Sequence, residues 1–419
     1  MTTHLTTTHR TVPIDGLNIF VREAGDRNAP AIVLLHGFPT SSHMFRDLIP
    51  RLAARFRVIA PDMVGFGHSD APPVGRFAYT FENLAAITRK LLEHLEVPNY
   101  ILYLHDYGGP VGLRVATSAP ERVRGIVVQN ANAYMEGVSE AVAGLFMPLW
   151  KERTEENLVA ARGFLTAEAT KMQYTAGARD WAALDPTAWT LDQALLDRSG
   201  VADAQLELFV DYETNVALYD AWHAYFRSHQ PKTLVTWGRN DPFFLEAGAE
   251  AFKRDLRDAE VVLLDGGHFA LEEHAETIAA HIERVFGERT GVEMVGAFYR
   301  ELAAGRLDAA LALLASDVSW NDPKGFPYGG RLTGAAAVRS QVFEQIASDW
   351  APFAVNVERV SAFAGGQDVL AIGCYVGQHR TSGRRLDTPF AHIWTTARGA
   401  LTRFETFTDT ATIHDAMKR

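Results

Sequence analysis

A single cysteine, Cys374, in 419 residues leaves no internal disulfide to form, which agrees with a reducing compartment. Long apolar runs are also missing. Stretches such as residues 31–35 fall far short of the ~20 residues needed to cross a bilayer, and the opening MTTHLTTTHR has no apolar stretch of the kind a signal peptide carries. A cytoplasmic chain without a membrane partner is expected. Positive charge is in deficit: 40 Lys and Arg stand against 51 Asp and Glu, for a formal net charge of -11, and no basic run stands out. Nucleic acid and anionic lipid are therefore poor partners, and a small neutral or electrophilic ligand fits better. No HExxH, paired CxxC or GxGxxG strand-turn-helix occurs, so neither a metal nor a dinucleotide is implied and no cofactor is expected.

What is present reads as a globular chain of two or three domains, with 47% hydrophobic and 22% charged residues. Residues 290–419 hold 13 Lys and Arg and 13 Asp and Glu, so residues 1–289 carry the whole net charge. An amphipathic pattern over 272–286 is followed by GERTG (287–291), and the domain boundary is read at residue 289. In the first part, short β-branched or Leu-rich runs at 31–35, 58–61, 100–105, 125–129, 233–237 and 260–264 alternate with helical patterns. That alternation predicts a mostly parallel sheet with helices on both faces. It stops over about 131–230, an aromatic-rich, helix-like insertion expected to form a lid. In the second part, two amphipathic helices are expected at 292–304 and 307–314. The alternating runs at 353–363, 369–377, 388–396 and 401–409 then suggest an α+β domain with a curved antiparallel sheet.

The chemistry is concentrated in three loops. YILYLHDYGGPVGLRVA runs a buried-type strand into Asp106 and then a helical pattern. A tight strand-to-helix turn demands small residues after a nucleophile, which Gly108 and Gly109 supply, although Leu104 stands where glycine is usual. WGRNDPFF places Asp241 just after one strand, and LLDGGHFALEEH places His268 just after another. Taken singly, Asp106 could cap its helix, Asp241 could serve a turn and His268 could neighbour a cap. Together they stand in the chain order of a nucleophile–acid–histidine triad, each after a strand. A carboxylate nucleophile, ionised at neutral pH, suits displacement at an sp³ carbon and gives an alkyl-enzyme ester.

With the HGFP, HDYGG, NDPFF and GHF motifs in order, residues 1 to about 288 resemble the epoxide hydrolase and haloalkane dehalogenase branch of the α/β-hydrolases, whose nucleophile is aspartate. The resemblance implies an α/β-hydrolase fold with a helical lid. It also implies an oxyanion hole from the Phe38 and Tyr107 amides and a water activated by His268, which Asp241 orients. His36 and Gly37 would shape the LLHGFPTSSHMF loop. Epoxide opening needs an acid, which that family supplies from lid tyrosines. Tyr212, in LFVDYETNV, stands near the second such position; the first, around Trp150, has no tyrosine, leaving Tyr134 or Tyr174 as substitutes, although packing is the favoured role for Tyr174. The substrate-binding candidates are therefore His36, Trp150, Tyr134 and Tyr174. Haloalkane dehalogenases typically carry Trp directly after the nucleophile, and fluoroacetate dehalogenases Arg; here the residue is Tyr107. The expected activity is hydrolysis of a small hydrophobic epoxide, with haloalkane or haloacid dehalogenation as the alternative.

Residues 290–419, with FYRELAAGRLDAALALLASDVSWNDPKGFPYGG and DTPFAHIWTTARGALTRFETFTDT, resemble the SnoaL-like group of the nuclear transport factor 2-like fold. That implies a cone-shaped α+β domain with a pocket, for which Trp320, Asp322, Tyr328, His392 and Asp409 are the candidates. A binding or dimerisation module, giving a homodimer through this domain, is the preferred reading over a second active site.

Overall fold

A computed structural model of the chain describes residues 6–287, 290–363, 368–397 and 399–418. The chain divides into two compact units, Met1–Gly287 and Glu288–Arg419. The boundary read at residue 289, with Glu288 and Arg289 of the GERTG segment, lies outside the described residues.

The first unit is built on an eight-stranded sheet: β1 (Thr8–Ile14), β2 (Leu17–Ala24), β3 (Ala31–Leu35), β4 (Arg57–Pro61), β5 (Tyr100–His105), β6 (Val123–Gln129), β7 (Thr233–Gly238) and β8 (Glu260–Leu264), in the order β1-β2-β4-β3-β5-β6-β7-β8. From β4 onward, neighbours are parallel. Helices cover both faces, so the central strands bury every side chain. Val33, Leu35, Leu102 and Leu104 join one core, and Ile32, Leu34, Ile101 and Tyr103 join the other. That is the period-two alternation of a strand read out on two buried faces. The hairpin β1–β2 was not expected from the sequence. Four of the first five residues of β1 are exposed on this edge strand, so no continuous apolar run marks it.

Between β6 and β7 the chain leaves the sheet as helices, among them Glu140–Lys151, Glu155–Arg162, Ala167–Thr175, Val201–Asp211 and Tyr219–His229. Ser139, Thr154 and Thr166 begin the first three, each accepting a backbone N–H from three residues on (Val142, Asn157 and Ala169), the standard way to satisfy orphan amides at a helix start. Among the described residues, no helix is long and apolar enough to cross a membrane.

The second unit opens with the helix Gly291–Ala303, started by a capping box between Thr290 and Glu293. Its sheet consists of β9 (Leu314–Asn321), β10 (Arg331–Thr333), β11 (Trp350–Ala362), β12 (Asp368–His379), β13 (Arg385–Ala397) and β14 (Ala400–Thr408), in the order β10-β9-β14-β13-β12-β11. All pairs are antiparallel except β14 with β9. Irregular register within β11 and β13 bends these long strands. The helix expected over 307–314 is shorter: it ends at Leu311, and Leu314 instead opens β9, paired with Leu401. Sheet pairing there overrides the helical spacing of the leucines.

Candidate active site

Asp106 lies in the turn between β5 and the helix Gly108–Ser118, at φ 47°. This left-handed conformation lifts its carboxylate away from the strand. The Phe38 amide donates to Oδ1 at 2.6 Å, and the Tyr107 amide, at the positive end of the helix, also bonds the carboxylate. A Cβ on Gly37 would sit 2.2 Å from that same Oδ1. Glycine at 37 is therefore what allows the HGFP loop to bring its amide onto Asp106.

His268 Nε2 stands 3.9 Å from Asp106 Oδ2. That distance is too long for a hydrogen bond and suits a water beside both groups. On its other side, Nδ1 donates to Asp241 Oδ2 at 2.7 Å. Asp241 also accepts the amides of Phe243 (2.8 Å) and Phe244 (3.1 Å) on Oδ1 and the side-chain Nδ2 of Asn130 (2.8 Å) on Oδ2. Nδ2 of Asn130 also donates to the Gly238 carbonyl, and its Oδ1 accepts the Gly238 amide, while its own carbonyl accepts the Asp106 N–H. One residue at φ 44°, through its carbonyl on one side and its side chain on the other, thus ties the turn carrying Asp106 to the loop carrying Asp241. Sequence reasoning passed over Asn130. The available signal was an asparagine directly after a buried strand, a residue type that tolerates left-handed turns.

Burial pushes the Asp106 carboxyl up to about 6, against the pull of His268 and the two amides. For His268, burial opposes the charge, but the Asp241 carboxylate, with Asp106 adding to it, outweighs burial and raises the imidazole above its ordinary value.

These groups open onto a cavity of about 60 Å3 lined by Phe38, Tyr107, Phe146, Trp150, Phe164, Phe209, Phe243 and Phe244, together with Asp106, His268, Tyr212 and Gln173. Among the described residues, no Lys or Arg lines it. Tyr212 lies flat against Trp150 (centroids 5.8 Å apart, 6°) with its edge to Phe81, and its hydroxyl lies beside that of Tyr219. Burial pushes the Tyr212 hydroxyl well above its ordinary value, so it stays protonated. Trp150 spends its indole N–H on the Phe209 carbonyl (2.9 Å).

Three residues named from the sequence lie outside this cavity. His36 is fully buried behind its loop, with Nε2 accepting the Met63 amide and Nδ1 donating to the Gly37 carbonyl, so it shapes backbone and meets no substrate. Tyr134 stacks on His223 (4.2 Å) and donates to Asp255. Tyr174 stacks on Phe269 (3.9 Å) and bonds Asp192 and Thr40. Both phenols are satisfied within the protein. The neighbour of Tyr174 on the helix, Gln173, is the one that reaches the cavity, and the sequence reading missed it.

In the second unit, Trp320, Asp322 and His392 line a cavity of about 560 Å3, as do Tyr299, Tyr375 and Arg380. His392 is held between the hydroxyls of Tyr299 and Tyr375. Trp320 Nε1 donates to Asp322 (2.9 Å), whose carboxyl burial lifts to about 7. Tyr328 and Asp409 are corrections here. Tyr328 packs behind the wall, bonding Asp349 and Trp350. Asp409 is exposed and caps the helix Thr410–Met417 through the Ala411 and Thr412 amides.

The family model of the alpha/beta hydrolase fold matches residues 30–275, and that of the SnoaL-like domain matches residues 295–404. An uncharacterized hydrolase of Saccharomyces cerevisiae is 42% identical over 283 residues, covering 67% of this chain and 97% of the relative. Among solved structures, the epoxide hydrolase CorEH superposes with a TM-score of 0.57 at 19% identity, over 67% of this chain and 99% of that one. The haloalkane dehalogenase DbeA from Bradyrhizobium elkani USDA94 does so with a TM-score of 0.57 at 23% identity, over 67% and 99%. At those identities the two likenesses show the shared fold.

Proposed function

From the premise that this chain belongs to the α/β-hydrolase family, fused to a SnoaL-like domain, we propose that its first unit hydrolyses a small apolar epoxide through an ester on Asp106. The observation that carries this reading is that a carboxylate, a histidine paired to a second carboxylate, and a protonated phenol line one aromatic cavity. Asp106 attacks a ring carbon, the C–O bond breaks, and Tyr212 protonates the leaving oxygen. His268 then takes a proton from water as it attacks the ester carbonyl, whose oxyanion is held by the Phe38 and Tyr107 amides. Esterification removes the Asp106 charge, one of the influences that keep the His268 pKa high, so the imidazole becomes a freer base at the step that needs one. The helices between β6 and β7 act as the lid, and the small closed volume calls for them to shift when substrate binds.

Dehalogenation has less support. The Trp150 N–H that could hold a halide is already bonded, and a haloacid's carboxylate would meet no Lys or Arg among the described residues of the cavity wall. For the second unit, the aromatic cavity, with the Asp322 carboxyl raised by burial to about 7, supports ligand binding.

A single turnover of styrene oxide in ¹⁸O-water tests the mechanism. Label is expected in the Asp106 side chain, and His268→Gln should accumulate a substrate adduct on the Asp106 peptide by mass spectrometry. Label confined to product, with no adduct, would mean that Asp106 only activates water.

A further inference from the structure

Among the amide and indole N–H groups on the cavity wall, those of one side chain have no partner among the described residues. The Phe38 and Tyr107 amides bond Asp106, His268 Nδ1 bonds Asp241, and Trp150 Nε1 bonds the Phe209 carbonyl. Gln173 lines the same cavity and is only 3% exposed, yet its carboxamide nitrogen finds no hydrogen-bond partner among the described residues. A buried amide left unpaired costs free energy that a leucine or methionine of similar size would avoid.

The placement of Gln173 is also fixed from below. Its helix, Ala167–Thr175, is anchored at its C-terminal end on the two loops that carry the acid and the histidine. The Ala176 carbonyl lies against Gly267 too closely for any side chain there. Asn240, beside Asp241, donates to the Gly177 carbonyl at 3.2 Å, and Glu273 accepts the amides of Arg179 and Asp180 at 3.0 Å each. This part of the insertion is therefore tied to the catalytic loops, and an unpaired amide held that rigidly is preorganised for a ligand atom.

We infer that the Gln173 carboxamide is a second donor, beside Tyr212, to the oxygen of the opening epoxide. The assignment rests on the reading of Asp106 as nucleophile and Tyr212 as acid. In the step, an Asp106 oxygen forms a bond to a ring carbon, the C–O bond breaks, and its electron pair goes to the ring oxygen. Tyr212 gives that oxygen a proton. Gln173 transfers none; its N–H stabilises the negative charge while it develops. The tyrosinate regains its proton from His268, which acquired one from the hydrolytic water, so epoxide plus water balances to diol.

The test isolates the first step in a His268→Gln background, following the Asp106 adduct of styrene oxide by mass spectrometry as a function of time and pH. Gln173→Met should slow adduct formation ~10²- to 10³-fold, with less change in the half-saturating concentration. Both proteins lose rate as Asp106 itself protonates below about 6, so the readout is the ratio to the parent at the same pH: Gln173→Glu should be the faster of the two at low pH, where its carboxyl can donate, and fall below the parent as that carboxyl ionises. A packing role would give no such pH-dependent divergence between the two variants. Combined with Tyr212→Phe, Gln173→Met should cost less than its single effect, because both groups serve one oxygen. Adduct formation at the parental rate in Gln173→Met, or Met and Glu variants that behave alike at every pH, would overturn the assignment while leaving the nucleophile intact. No adduct in the His268→Gln parent would instead overturn the nucleophile, and the Gln173 assignment with it. Should Gln173→Met lose its cooperative melt, the pH profile of Gln173→Glu decides alone.

Discussion

Asp106 occupies its position at a cost to folding. Its φ of 47° puts a non-glycine residue in the left-handed region, at about 1–2 kcal/mol. Burial adds a pH-dependent cost, because the carboxyl is raised from 3.8 to about 6 in the folded chain. A raised carboxyl favours the folded state while protonated. That favour is fully present below pH 3.8 and lost as pH rises through about 6, so above that pH the ionised group works against folding. Asp106→Asn keeps the acceptor for the Phe38 amide and removes the charge. It should therefore be more stable than the parent at pH 8 by roughly 1–3 kcal/mol, with the gain fading between pH 6 and pH 4. Melting temperatures of both proteins across that range check this, and a difference independent of pH would show that the charge is not the cause. The same residue was legible in the sequence because its constraints are local: a strand, a carboxylate and two glycines in a row. Asp241 and His268 could be read for the same reason. Gln173 and Asn130 could not, since what makes them notable is which distant groups they meet or fail to meet, and neither residue's sequence neighbours record that. Tyr134 was misread in the opposite sense as a substitute lid acid, while Tyr174 takes the packing role that the sequence favoured for it. A phenol in an aromatic segment looks available until its partner, here Asp255, is seen.

The turn that carries the proposed nucleophile depends on how closely β3 and the turn after β5 approach each other. A Cβ on Gly108 would lie 2.1 Å from the Leu35 carbonyl oxygen, a backbone atom of a central strand that has no room to yield. Gly108→Ala is expected to lower stability by at least about 1–3 kcal/mol and to reduce turnover, because the displaced turn shifts Asp106 relative to the Phe38 amide. Denaturant midpoints and single-turnover rates measure both effects; parental values would show that the turn accommodates a methyl group. The parallel strands β3–β7 were legible because each contains a short buried apolar run. The edge hairpin β1–β2 was not, since an edge strand mixes exposed and buried positions and has no such run. At Leu311 the leucine spacing continued the helix on paper, but the backbone of the next turn was claimed by β14. Element type is set locally only where tertiary pairing does not compete.

At the scale of the whole molecule, charge and burial divide at the same place. Residues 1–289 carry the entire net charge of -11, and each unit has its own cores, running from Val12 to Ile282 in the first and from Met294 to Ala416 in the second. A unit with its own apolar core can fold alone. Every group assigned to the reaction, from Phe38 to His268, belongs to the first unit. Residues 1–287 expressed alone should therefore melt cooperatively and retain epoxide turnover within a few-fold of the full chain. In the full chain, Asp322→Ala and His392→Ala should leave that turnover unchanged while altering what the larger cavity binds. The opposite pattern is equally readable: a folded but inactive residues 1–287, together with loss of turnover in Asp322→Ala, would move the chemistry to the cavity of the second unit, where a carboxyl raised to about 7 is the group able to exchange protons near neutral pH.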